Sequence, residues 1–130
     1  MSGERESRAI RTERAPRPVG HYSQAIAAGG LIWVSGQVAL DPLTGELVAG
    51  GAAEQARQAL ANVAAVLEAA GSGLDRVVRT TVYLIDLDDF EEVNRVYAGF
   101  FPGTPPARVS VEVRRLPRDA RVEIDAVALS

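Results

Sequence analysis

The sequence reads as an α+β domain in which two helices pack on one face of a single sheet. Three observations point there. Two short strand-like runs, 26–28 and 31–37, flank Gly29-Gly30. A helical period follows over 52–70. Runs rich in β-branched residues then return at 76–85 and 108–129, on either side of a second helical stripe. The implied order, β-β-β-α-β-α-β-β, suits two helices laid against one sheet, a common way to cover a single apolar face.

Each element has its own warrant. Residues 1–8 are expected to form a flexible tail, with one domain over 9–130. Ala9–Thr12 predicts a short edge strand, interrupted by Pro16 and Pro18. Within Leu31–Gln37, Leu31, Trp33 and Ser35 alternate with Ile32 and Val34, the period of a strand. DPLTGE at 41–46 has the composition of a turn, with Leu47-Val48 as a returning strand. From Ala52, the residues Ala56, Leu60, Val63, Leu67 and Ala70 step by four, three, four and three to give one apolar stripe. The small residues of that stripe imply close approach to a sheet. Gly71 and Gly73 end the helix. RVVRTTVYLI at 76–85 predicts a central or nearly central strand. Asp88, three residues before Glu91, predicts the cap of a second helix with Phe90, Val93, Tyr97 and Phe100 buried, ended by Pro102-Gly103. Arg108–Arg114 and Arg121–Leu129 supply the last two strands, joined through LPRDA.

Composition narrows the chemistry. No cysteine is present, which removes disulfides, thiolate nucleophiles and Cys-based metal sites. All fourteen basic residues are arginine, so no lysine can form a Schiff base. A single histidine, His21, excludes a poly-histidine zinc site within one chain. The net charge of -3 does not favour nucleic acid. No run of eighteen apolar residues exists, so no membrane span is expected, and the opening residues lack the apolar core of a secretory signal. A cytoplasmic location is the expectation. On the last strand apolar residues occupy both parities, more than two helices can cover, and self-association is the expected remedy.

Among the polar residues, Arg108 opens a strand in which valines fill one face and Arg108, Ser110, Glu112 and Arg114 share the other. It is either a solvated strand-end arginine or a fixed anion hook; for Glu112 and Arg114 the expectation is a partly solvated face with ion pairs. Glu123 and Asp125 share a face two residues apart, and mutual repulsion demands a basic neighbour or solvent for at least one. A simple hairpin centred near Arg118 would set Glu123 opposite Arg114 and leave Arg108 roughly 17–20 Å further along. Arg108 and Glu123 can share a site only through another chain or a different strand order. Tyr22 in a short connection reads first as packing with a satisfied hydroxyl, and Ser35 before Gly36 as a structural residue at a strand end, with ligand contact the alternative for each. Asn94 falls on the Phe90/Tyr97 side of its helix and must hydrogen-bond something, a loop carbonyl or a ligand. His21 reads as a solvated loop residue. No Walker loop, GxGxxG, HExxH or nucleophile elbow occurs.

The pieces GHYSQAI at 20–26, VSGQ at 34–37, TGE at 44–46, QARQALANVAAVLEAAG at 55–71, VVRTTVYLIDLDDFEEVNRVYAGFF at 77–101 and PPARVSVEVRRLPRDARVEIDAVA at 106–128 together resemble the RidA (YjgF/YER057c/UK114) family. The resemblance spans roughly residues 9–129. It implies a chorismate mutase-like mixed sheet, a homotrimer with ligand clefts between subunits, and hydrolytic deamination of reactive 2-imino acids and their enamine tautomers to a 2-keto acid and ammonia. No metal or organic cofactor is implied. Carried over by position, Arg108 would bind the substrate carboxylate, Glu123 would activate water, and the backbone carbonyl of Ser110 would hold the imine nitrogen. Tyr22, Ser35 and Asn94 would complete the substrate pocket. The family's usual proline before the tyrosine is His21 here, and the cysteine often found after the arginine is Ser110. Two other readings accompany this one: a related hydrolase acting on another small carboxylate or carbamate-like substrate, and a non-catalytic trimer that binds 2-keto acids or protects other proteins.

Overall fold

The computed structural model describes residues 6–130. Six strands and two helices run in the order β1 (Arg8–Ile10), β2 (Ala25–Ala28), β3 (Leu31–Val38), α1 (Ala52–Ala69), β4 (Val77–Leu84), α2 (Phe90–Phe100), β5 (Ala107–Glu112) and β6 (Val122–Leu129). Of the tail expected over 1–8, residues 1–5 lie outside the described residues, and Arg8 opens β1 opposite Ala27. Gly29 and Gly30 both take positive φ, the conformation a two-residue hairpin demands, and join β2 to β3. Leu47 makes only an isolated bridge to Leu40, so the returning strand expected at 47–48 does not form.

The sheet is mixed, with strand order β1-β2-β3-β6-β4-β5. The supposed hairpin of the last two strands is absent: β6 inserts antiparallel between β3 and β4, while β5 runs parallel to β4 at the edge. The LPRDA connection therefore crosses the end of β4 instead of turning back on itself. Local pattern could not show this, because both arrangements leave the alternation along each strand unchanged.

Both helices lie on one face. The small stripe of α1 packs down as predicted, with Ala52, Ala56, Ala59, Leu60, Val63, Val66 and Leu67 buried against Ile32, Val34, Ile124 and Ala126. Asn62 is buried in the same helix, its Nδ2 donating to the Leu40 and Val38 carbonyls at 3.0 and 3.3 Å. In α2, Val93 and Tyr97 are buried, and Phe90 and Phe100 pack half-buried at its margin. The predicted cap shifts by two residues: Asp86 accepts from the Asp88 amide at 2.9 Å, and a 3-10 turn over Leu87–Asp89 leads into the helix. Three acids lie close together here, and only the backbone path selects among them.

The other face is open. Trp33, Val109, Val111 and Leu129 stand exposed on it, beside Val127, Tyr83 and Asp125 by register. On β5 the valines are thus the outward residues, while Arg108, Ser110 and Glu112 turn toward α2. The edge Glu112 accepts from the Leu87 amide at 3.0 Å, a structural role.

Candidate active site

A cleft of about 320 Å³ opens beside the end of β3. Its floor comes from Ser35, Gly36 and Gln37 of β3 and Glu123 of β6, and its wall from the loop carrying Pro16, Arg17, Val19 and Tyr22. Tyr22, Ser35 and Glu123 are therefore brought together within one chain. Gln24 builds the wall: buried, its amide nitrogen donates to the carbonyls of Thr12 (3.0 Å), Pro16 (2.9 Å) and Ala15 (3.4 Å), while its oxygen accepts from the Thr12 amide at 2.8 Å. The Tyr22 hydroxyl accepts from the Val19 amide at 3.2 Å, which leaves its own proton free. Ser35 is committed the other way, its hydroxyl donating to the Ser23 carbonyl at 2.6 Å. His21 is exposed and does not line the cleft.

Glu123 reaches the cleft because of a residue the site reasoning passed over. The β3–β6 register slips between Val34 and Gln37, and Gly36 sits in that irregularity. A Cβ on Gly36 would overlap Glu123 Oε2. The glycine inside a strand pattern was the available signal, since such a glycine marks a bulge or a close approach. Gly36→Ala is expected to swing the carboxylate out of the cleft with the far-UV circular dichroism unchanged; a crystal structure of the variant with Glu123 Oε2 in its original place would show that Gly36 does not set the carboxylate position.

Burial raises the Glu123 pKa above its ordinary value of 4.5, and the negative charge of Asp125 raises it further. Of the basic neighbour or solvent expected for this acid pair, no described residue supplies an ion pair to either acid. Asp125 is instead satisfied by the Thr81 amide and the Tyr83 hydroxyl, each at 3.1 Å. Burial, with Asp125 as the next cause, raises the Tyr83 pKa in turn.

Arg108 lies elsewhere. It pairs in register with Thr80, whereas Glu123 pairs with Tyr83, so two strand spacings and three residues of β4 separate them. That is roughly 14 Å in the sheet plane, with the two side chains on opposite faces. Within one chain the structure does not bring them together. Although exposed, the guanidinium is held. Its Nη1 donates to Asn94 Oδ1 at 2.8 Å, and its Cζ lies 4.7 Å from the Tyr97 ring centroid and 5.3 Å from that of Phe90. Tyr97 is braced from behind by a 2.6 Å hydrogen bond with the Thr80 hydroxyl. Asn94 thus serves the arginine instead of a loop carbonyl. Tyr97 and Phe90 are residues that sequence reasoning assigned to the core alone. The Ser110 hydroxyl is buried with no hydrogen-bond partner.

Among the described residues no group of three or more His, Cys, Asp or Glu could hold a metal ion. No helix among them is long and apolar enough to cross a membrane.

A small α+β chain with one helix-covered face, one open apolar face, and an acid-floored cleft beside the sheet end is the class of protein defined so far. Comparison with known proteins places it. The family model described as Endoribonuclease L-PSP matches residues 12–130, and the chain belongs to that family, the RidA/YjgF family. It is 53% identical over 119 residues to a RutC family protein of Pyrococcus horikoshii, covering 92% of this chain and 94% of the relative. It is 49% identical over 120 residues to the 2-iminobutanoate/2-iminopropanoate deaminase of Mus musculus, covering 92% of this chain and 89% of the relative. The crystal structure of RidA from the Antarctic bacterium Psychrobacter superposes with a TM-score of 0.92 at 41% identity, covering 95% of this chain and 99% of that one.

Proposed function

We propose that this protein is a cofactor-independent hydrolase of small 2-imino acids and their enamine tautomers, releasing a 2-keto acid and ammonia. The observation that carries the reading is the Glu123 carboxylate, half-buried over a cleft with its proton affinity raised. A base with a pKa lifted toward neutrality is better matched to taking a proton from water. The near-50% identity to a protein named for this activity supports the same chemistry.

In this reading Arg108 of a neighbouring copy clamps the substrate carboxylate. The guanidinium offers a planar fork of donors, and its stacked, Asn94-anchored position leaves other N–H groups for the ligand. The free proton of Tyr22 suits the same carboxylate. Ser35, whose proton is already donated, can only accept, which suits the attacking water. The carbonyl of Ser110 accepts a hydrogen bond from the protonated imine nitrogen. Glu123 takes a proton as water adds to the C=N carbon and returns it as ammonia leaves. The opposed placement of Arg108 and Glu123 in one chain supports a pocket shared between copies. The exposed valines and Trp33 of the open face are the natural contact for a homotrimer. Sedimentation is expected to give three copies, and Val111→Asp to yield a single chain; a monomeric wild-type protein would remove the shared pocket.

The direct test generates 2-aminoacrylate or 2-iminobutyrate with a serine or threonine dehydratase and follows keto-acid release. Acceleration above the free-solution rate is expected, with a rate limb that rises with pH at a pKa above 4.5 as Glu123 ionises. No acceleration would leave a related hydrolase of another small carboxylate or a non-catalytic binding protein. The family description as an endoribonuclease finds less support: the cleft floor carries an acid, and a net charge of -3 repels a polyanion.

A further inference from the structure

Among the described residues lining the cleft, Glu123 is the one acid and Arg17 the one cation. A small acid that reaches Glu123 brings a second negative charge beside a carboxylate that is already costly to ionise. A clamp on the substrate's own carboxylate offsets one charge. Arg17 is a further cation facing the same space, and no described residue hydrogen-bonds or ion-pairs with it.

Its backbone is held. Pro16 and Pro18 flank it, fixing φ on both sides and restricting Arg17 itself to extended conformations. The buried Gln24 amide pins the Ala15 and Pro16 carbonyls from below. The charge therefore projects from a rigid support, which lowers the entropy lost on gripping a ligand. The same lining includes the apolar Val19, Val38, Leu40 and Pro117, suited to a short methylene spacer.

We propose that Arg17 forms a subsite for a second, distal carboxylate, so that the preferred substrates are 2-imino acids of dicarboxylic type. The proposal rests on the deaminase reading of the same cleft.

The test uses two oxo acids of equal chain length, 2-oxoglutarate and 2-oxovalerate, which differ by a carboxylate in place of a methyl. Calorimetric titration of the full-length protein at low salt is expected to show 2-oxoglutarate bound about fivefold more tightly. In Arg17→Gln that ratio falls to about one, Arg17→Lys keeps part of it, and added salt shrinks it in the wild type. A wild-type ratio near one, or a preference that survives in Arg17→Gln, overturns the proposal. If the wild type binds 2-oxovalerate without preference, only the subsite is lost. If it binds neither acid, the deaminase reading falls and the subsite falls with it.

Discussion

Glu123→Gln is expected to lower imino-acid turnover by about 10²–10⁴-fold while 2-oxo-acid binding persists. Glutamine preserves the shape of the side chain beside Gly36 but cannot take a proton from water. The same substitution is expected to raise the melting temperature at neutral pH. The reason lies in the sign of the pKa shift. Burial, with Asp125 second, raises the folded-state pKa of Glu123 above 4.5, so the folded chain prefers the protonated acid. Stability from that preference is full below the unfolded-state pKa and is lost as pH rises through the folded-state value. The gain in Glu123→Gln should therefore be present at neutral pH and fade in acid. Turnover equal to wild type would end the role of Glu123 as base; a binding loss without a rate loss would make it a ligand contact.

The second large effect concerns binding. Arg108→Ala is expected to weaken 2-oxo-acid affinity on the order of a hundredfold, from two charge-assisted hydrogen bonds at about 1.5 kcal/mol each. Arg108→Lys should recover only part of this, because an ammonium keeps the charge but neither forks onto a carboxylate nor reproduces the guanidinium contact with the Tyr97 and Phe90 rings. In the wild type the guanidinium is held in place by the Asn94 hydrogen bond and by the Tyr97 and Phe90 rings. Mixing the two single variants supplies an independent check. An assembly of Arg108→Ala and Glu123→Gln chains is expected to regain activity in those pockets that pair a wild-type arginine with a wild-type glutamate. Absence of any recovery, with mixed assemblies demonstrated by mass spectrometry, would remove the pocket shared between copies.

Much of the domain was legible in local order. The period of α1, the Gly29-Gly30 turn and the β-branched run of β4 each report a backbone preference acting over a few residues. The surplus of apolar residues on the last strands also announced a face that two helices would leave open. The path of the chain was not legible. An edge β5 parallel to β4, and a β6 threaded between β3 and β4, depend on partners 28 or more residues away, as from Thr80 to Arg108. Alternation along a strand is the same whichever neighbour it meets.

The candidate site divides along the same line. Residue types and spacing raised Arg108, Glu123, Tyr22, Ser35 and Asn94 as candidates, while the family resemblance added Ser110 and supplied the expected roles. Three-dimensional packing decided that Tyr22, Ser35 and Glu123 line one cleft while Arg108 and Asn94 stand on the opposite face. Chemical identity resides in single side chains and can be read one letter at a time. Proximity is a property of the closed sheet, set by burial and long-range pairing, and no single stretch of the chain contains it.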